Sequence, residues 1–105
     1  MPASKEFVDV TIRDNKVVVF SKSYCPFCTK AKKALKSAGL SNFLVIELDN
    51  RNDGDSIQDY LLALTKGRSV PRVFIGQKFV GGGDDVARLQ SKGELKPMLQ
   101  SAGAL

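Results

Sequence analysis

Two apolar runs predict buried strands. Lys16 to Phe20 contains the β-branched run Val17-Val18-Val19, which is typical of a strand covered on both faces. Phe43 to Leu48 is predicted to be a second strand. Both runs are far shorter than the roughly 20 apolar residues that cross a bilayer, so we expect no membrane-spanning segment.

Helical spacing follows each of these strands. Between Pro26 and Ala38 apolar residues recur every three or four positions, and Gly39 is predicted to end this helix in a left-handed conformation. Ser56, with Asp59 three positions later, predicts the start of a second helix, which Gly67 is expected to end.

The last third of the chain predicts a hairpin and two helices. Val73-Phe74-Ile75 and Lys78-Phe79-Val80 flank Gly76-Gln77, which suits a two-residue type II′ turn with glycine at a positive φ. Asp84 is predicted to cap a short helix, and Gly93 to Ala102 is predicted to form the final one.

Together with a first helix around Phe7 to Ile12, the predicted order is helix, strand, helix, strand, helix, hairpin, helix, helix. Two strands joined through a helix lie parallel, and the hairpin adds an antiparallel pair. We therefore expect an α/β fold with a four-stranded mixed sheet flanked by about five helices. A chain of 105 residues is enough for one domain, so the prediction is a single domain over residues 1–105.

The net charge of +5 comes from one segment. Residues 21–46 contain five lysines and no acid, whereas the rest of the chain has eleven basic and eleven acidic residues. These lysines are Lys22, Lys30, Lys32, Lys33 and Lys36. Because the excess lies beside both cysteines, it indicates local electrostatics around a site, with no nucleic-acid partner expected. For the four lysines after Cys28, a solvated helix face is the favoured interpretation.

The chain has two cysteines and no histidine, which excludes Cys-His nucleophilic pairs and Cys₂His₂ zinc sites. In Cys25-Pro26-Phe27-Cys28, Pro26 suits the first position of a helix, so Cys25 becomes the N-cap. The helix N-terminus favours a thiolate, and we predict that Cys25 is a nucleophile that can form a disulfide with Cys28.

Two other roles are open to the cysteine pair. A structural disulfide around four residues would stabilise the fold by only about 2 kcal/mol. A metal site would lack ligands within one chain, so no metal is expected.

Three segments of the chain resemble the signature blocks of glutaredoxins, in order: residues 22–28, residues 69–76 and residues 80–85. The resemblance runs from about Val17 to Leu99 and implies a thioredoxin-like fold, glutathione as reductant and a cis peptide before Pro71. Phe27 stands where tyrosine is commonest in the family, and Gly83 stands where many relatives have a further cysteine.

The resemblance also implies a set of glutathione contacts around the catalytic residues Cys25 and Cys28. The residues at the matching positions are Lys22, Tyr24, Phe27, Gln58, Ser69, Val70, Pro71, Gly83, Asp84 and Asp85. Lys22 and Gln58 would hold the glycyl carboxylate, with Arg68 as a competitor for it. The Val70 backbone would pair with the cysteinyl unit, and the region of Gly83 to Asp85 would bind the γ-glutamyl head.

The predicted function is a glutathione-dependent reduction of protein disulfides and glutathione mixed disulfides. The expected partners are glutathione, its protein substrates and, indirectly, glutathione reductase. A monomer is expected, without a membrane partner. The N-terminal residues lack a secretory pattern, which predicts a cytoplasmic location. Two alternatives remain at this point: an iron-sulfur carrier, disfavoured by Pro26, and a basic interaction module.

Overall fold

The computed structural model describes residues 2–105, so Met1, the first residue of the predicted domain, lies outside it. The five helices are α1 Pro2–Asp14, α2 Pro26–Ser37, α3 Gly54–Thr65, α4 Gly83–Ser91 and α5 Leu95–Ser101. The strands are β1 Val17–Ser21, β2 Leu44–Glu47, β3 Arg72–Ile75 and β4 Lys78–Gly81, and a short 3₁₀ helix spans Leu48–Asn50. Among these described helices, none has the length and apolar character needed to cross a membrane.

The four strands form one mixed sheet in the order β2-β1-β3-β4. β1 is parallel to β2 and antiparallel to β3, which pairs in turn with β4. This confirms the predicted four-stranded mixed sheet with five helices around it. Because β1 lies in the interior of the sheet, all five of its residues are buried, as the β-branched run predicts.

Alternate residues of β1 contribute to two separate cores. Val17 and Val19 pack in the core that includes α2, α4 and α5. Val18 and Phe20 pack on the opposite face, against residues of α1 and α3. This alternation follows from the two-residue period of a strand, and it directs Ser21, the last residue of β1, toward the α2 face.

The prediction for α3 was wrong at both ends. The helix begins at Gly54 instead of Ser56, because glycine lets the chain pack directly on the Leu48 carbonyl. It ends with Lys66 in the left-handed conformation, at φ 66°, and Gly67 comes one residue later. Gly67 lies against the guanidinium of Arg72, so a side chain there would have to displace that guanidinium.

Two further local predictions were wrong in detail. Gly76 and Gln77 both have positive φ, 58° and 70°, so the hairpin turn is of type I′ rather than type II′. The N-cap of α4 is Gly82 instead of Asp84. Asp85 accepts a hydrogen bond from the Gly82 N–H at 2.9 Å, whereas Asp84 turns outward to pair with Lys30 at 2.7 Å.

Candidate active site

Cys25 lies at the N-terminus of α2, where the chain leaves β1. As predicted, it is the N-cap and Pro26 occupies the first turn. The Cys25 Sγ accepts a hydrogen bond from the Cys28 N–H at 3.2 Å, and it lies 3.7 Å from the Val70 carbonyl oxygen, to which its thiol donates. The residue is half-buried, so its sulfur is positioned by the helix and still accessible to a substrate.

Cys28 is in a different environment three residues later. It is fully buried, and burial raises the pKa of its thiol to about 11, with a further contribution from its hydrogen bond with Cys25. The neighbouring Ser21 side chain and Lys22 backbone act in the opposite direction on the pKa of Cys28. The two sulfurs therefore differ in access, which suits one for attack from outside and the other for an internal step.

The loop before Cys25 is held by Asp49, which the sequence analysis missed. The Asp49 carboxylate accepts hydrogen bonds from the Ser23 hydroxyl and, at 3.0 Å, from the Ser23 N–H. These bonds lower the pKa of Asp49 below its ordinary value. Ser23 and Asp49 are 26 residues apart, and only the parallel pairing of β1 with β2 brings them together.

A groove of about 350 Å³ opens on one side of the active site. It is lined by predicted contact residues from three elements of the chain, namely Phe27, Ser69, Val70, Pro71, Gly83, Asp84 and Asp85. The Val70–Pro71 peptide is cis, as the resemblance implies. The Val70 carbonyl faces Cys25, so this groove lies beside the half-buried sulfur.

Arg72 is a second residue of this groove that the sequence analysis missed. Its guanidinium donates hydrogen bonds to the Ser69 carbonyl and to the Ser69 hydroxyl, both at 2.7 Å. The guanidinium also lies over the Phe79 ring, 5.1 Å from its centre. Partial burial lowers the pKa of Arg72 below its ordinary value. These contacts hold the segment that forms one wall of the groove.

Gly83 lets α4 pack closely on the start of α2. A Cβ at this position would lie 2.5 Å from the Phe27 carbonyl oxygen, so any side chain here would push the two helices apart. The first turn of α4 is thereby brought beside the half-exposed Phe27 ring, at the wall of the groove.

A second pocket, of about 260 Å³, contains the remaining predicted contacts. Lys22, Tyr24 and Gln58 line it together with Asp49 and Arg51. The Gln58 side chain is 4% exposed, and its Nε2 donates to the Arg68 carbonyl at 2.9 Å.

The Arg68 side chain, the predicted competitor for the same carboxylate, is already engaged. It forms ion pairs with Asp55 at 3.4 Å and Asp59 at 3.0 Å. Lys22 is therefore the better placed cation for a ligand in this second pocket.

Comparison with known proteins agrees with this geometry. The glutaredoxin family model matches residues 17–80. A glutaredoxin from Ricinus communis is 47% identical over 105 residues, which cover 100% of this chain and 98% of the relative.

Solved structures are similar over nearly the whole chain. Oxidized glutaredoxin 2 from Chlamydomonas reinhardtii superposes with a TM-score of 0.96 at 51% identity, covering 99% of this chain and 97% of that one. A buckwheat glutaredoxin-glutathione complex superposes with a TM-score of 0.93 at 41% identity, covering 99% of this chain and 94% of the buckwheat chain.

Proposed function

The chain belongs to the glutaredoxin family, and we propose on this basis that it is a glutathione-dependent thiol-disulfide oxidoreductase. The observation that carries the proposal is the position of the Cys25 sulfur: it sits at the N-terminus of α2, hydrogen-bonded to the Cys28 N–H, between two pockets. A helix N-terminus stabilises a thiolate, and the thiolate is the nucleophile in disulfide exchange.

In the proposed reaction with a glutathionylated protein, the Cys25 thiolate attacks the glutathione sulfur of the mixed disulfide. The protein leaves as a thiolate, and glutathione remains on Cys25. A second glutathione thiolate then attacks this glutathione sulfur, which releases glutathione disulfide and regenerates Cys25. With a protein disulfide, the target itself becomes attached to Cys25, and Cys28 displaces it by forming the Cys25–Cys28 disulfide, which glutathione reduces.

Both pockets suit the ends of glutathione. In the second pocket the Lys22 ammonium would attract the glycyl carboxylate, with Gln58 beside it. In the groove, the backbone of Val70 offers an edge for the cysteinyl unit. N–H groups at the start of α4, around Gly83 and Asp84, suit the γ-glutamyl carboxylate, and the acidic side chains suit its ammonium. The buckwheat relative forms a complex with glutathione, which supports glutathione as the ligand.

The proposal extends to the setting of the enzyme. We expect a monomer that acts in the cytoplasm, removes glutathione from proteins and passes electrons from glutathione to protein disulfides. Glutathione reductase would restore the glutathione pool.

Two substitutions test the proposed function. Cys25→Ser is expected to abolish turnover of both substrate types in a glutathione-coupled assay, because the attacking sulfur is gone. Cys28→Ser is expected to keep the reaction with glutathionylated proteins and to lose most of the reaction with protein disulfides. Substantial turnover by the Cys25→Ser variant would refute the proposal, and so would equally fast reduction with thioredoxin reductase in place of glutathione and glutathione reductase.

A further inference from the structure

The turn that joins β1 to α2 holds a cation and a nucleophile three residues apart. The Cys25 N–H donates a hydrogen bond to the Lys22 carbonyl at 3.1 Å, which closes the turn. The Lys22 side chain lines the second pocket, and the Cys25 sulfur lies beside the Val70 carbonyl at the groove. The conformation of this turn therefore decides where the cation lies relative to the sulfur.

The peptide group between Lys22 and Ser23 is held at both of its polar atoms. Its carbonyl, which belongs to Lys22, accepts hydrogen bonds from the Cys25 N–H and, at 3.3 Å, from the Ser21 hydroxyl. Its N–H, which belongs to Ser23, donates to the Asp49 carboxylate at 3.0 Å. Because a peptide group is planar, holding both atoms restricts the direction in which the Lys22 side chain leaves the backbone.

Asp49 holds this turn from the neighbouring strand. One of its carboxylate oxygens accepts the Ser23 N–H and the other accepts the Ser23 hydroxyl, so both donors of one residue meet one carboxylate. Asp49 is exposed, but it directly follows Leu48, which is 2% exposed and packs in the core with α1 and α3. The acceptor is therefore anchored to the core, although its hydrogen bonds lie at the surface.

We propose that Asp49 is a positioning residue that sets the selectivity of the enzyme for the glycyl end of glutathione. By holding Ser23, it keeps the Lys22 ammonium in the second pocket, where the ammonium attracts the glycyl carboxylate. The inference rests on the proposed function, and it assigns the role to a residue that acts through Ser23 and Lys22.

Cys25 is held by further contacts at the start of α2. Its sulfur accepts the Cys28 N–H at 3.2 Å, and its carbonyl accepts the Thr29 N–H at 3.1 Å. Release of Ser23 should therefore displace Lys22 more than it displaces the sulfur. The expected result is a change in the choice between thiols, without a general loss of activity.

The charge of Asp49 and its hydrogen bonds act on this selectivity in opposite directions. Asp49 lines the same pocket as Lys22, so its negative charge repels a carboxylate that enters there. Loss of the charge alone should strengthen the preference for a ligand with a glycyl carboxylate, whereas loss of the hydrogen bonds should weaken it. Asp49→Asn separates the two effects, because the amide oxygen can accept the Ser23 N–H while the amide nitrogen donates to the Ser23 hydroxyl.

The test compares glutathione with γ-glutamylcysteine, which lacks the glycyl carboxylate. Both thiols serve as reductants for a glutathionylated peptide whose fluorescence changes when glutathione is removed, and steady-state kinetics of the full chain gives kcat and KM for each thiol. The variants are Asp49→Ala, Asp49→Asn, Ser23→Ala and Ser23→Thr. Asp14→Ala is the matched control, because Asp14 is an exposed aspartate at the end of α1 that pairs with Arg13 at 3.0 Å.

We expect the unsubstituted chain and Asp14→Ala to prefer glutathione about fivefold, the factor that one exposed ion pair can supply. Asp49→Ala and Ser23→Ala should lower this preference to about twofold or less through a higher KM for glutathione, while kcat changes little. Asp49→Asn and Ser23→Thr keep the hydrogen bonds and should retain the full preference. In a Lys22→Ala background, Asp49→Ala should lower the preference no further.

A preference in Asp49→Ala as large as that in Asp49→Asn would overturn the inference, because both variants lack the charge and differ in their hydrogen bonds to Ser23. Equal losses of activity with both thiols would also overturn it, since the substitution would then act on the fold or on Cys25. If the unsubstituted chain turns over with neither thiol, the proposed function itself is wrong, and the inference fails with it.

Discussion

The two cysteines show how burial divides one reaction between two chemically identical side chains. Cys25 is half-buried beside the Val70 carbonyl, whereas Cys28 is fully buried one helical turn further on. A large protein substrate can therefore reach Cys25 but not Cys28. Only when a substrate is already attached to Cys25 does Cys28 have a sulfur within reach.

The raised pKa of Cys28 predicts how the stability of the reduced protein depends on pH. An unfolded cysteine ionises near its ordinary value of 9.0, and the folded one near about 11, so the folded state holds the proton more strongly. The resulting contribution to the free energy of unfolding is complete below pH 9.0 and is lost as the pH rises from there to about 11. In thermal unfolding without oxygen, Cys28→Ser should lose less stability than the unsubstituted chain over this range. Parallel curves for the two proteins would contradict the assignment.

Arg72 predicts a change in glutathione binding. Arg72→Ala removes both hydrogen bonds to Ser69 and should loosen the wall of the groove next to Cys25. A loss of about 1 kcal/mol in the free energy of glutathione binding corresponds to an increase of about fivefold in the KM for glutathione, with a smaller change in kcat. Arg13→Ala is the matched control, because Arg13 is exposed on α1 and pairs with Asp14. An unchanged KM in steady-state kinetics of Arg72→Ala would show that Ser69 does not depend on Arg72.

At the level of elements, the ends of helices decide the geometry of the site. α2 begins directly after Cys25, and α4 begins beside Phe27, where Gly83 permits the close approach. The groove is therefore a consequence of two helix N-termini packed side by side. Its width depends on the absence of a single Cβ atom.

Two neighbouring glycines allow this dependence to be measured. Gly83→Ala places a Cβ 2.5 Å from the Phe27 carbonyl oxygen, whereas Gly82→Ala has its nearest neighbour, the Pro71 carbonyl oxygen, at 3.5 Å. We expect Gly83→Ala to lower the free energy of unfolding by about 1–3 kcal/mol, as overpacking usually does. Gly82→Ala should cost less than about 0.5 kcal/mol. Urea unfolding measures both free energies. If Gly83→Ala and Gly82→Ala lose similar amounts, α4 moves to accommodate the added Cβ atom at position 83.

Periodicity predicted most of the elements, because apolar spacing records which face of each element is buried. Details that depend on long-range packing could not be predicted in this way. The start of α3 depends on packing against Leu48, and its end is set by the left-handed Lys66, so Ser56 and Gly67 gave the wrong boundaries. In the site, Cys25 and Pro26 carry a local signal, whereas Asp49 acts on a loop 26 residues away.

At the scale of the whole molecule, the positive charge is less uniform than the composition indicates. Lys30 pairs with Asp84 across α2 and α4, and Lys32 pairs with Glu47 at the edge of the sheet. Lys22 instead lines a pocket beside Cys25, and the acidic residues Asp84 and Asp85 line the groove on the other side. The molecule thus presents a cationic and an acidic region on either side of one sulfur.

This charge arrangement predicts how shortened thiols behave. γ-Glutamylcysteine lacks the glycyl carboxylate, so its KM should exceed that of glutathione by about fivefold, as one ion pair of up to about 1 kcal/mol implies. Lys22→Ala should remove this difference while the preference for glutathione over cysteinylglycine remains. Steady-state kinetics with the three thiols provides the measurement. If Lys22→Ala changes the preference over γ-glutamylcysteine and the preference over cysteinylglycine equally, Lys22 does not act on the glycyl end of the ligand alone.

The position of the C-terminal residues has a practical consequence. The Lys16 ammonium binds the Gly103 carbonyl at 2.9 Å, and Ala102 lies beside Gly76 in the hairpin turn. Lys16 precedes β1 and Cys25 follows it, so the length of the strand separates this end from the sulfur. A tag or fused protein attached after Leu105 would therefore leave the molecule at the end of β1 opposite to Cys25. A chain immobilised on a surface in this way would present its reactive thiol toward the solution.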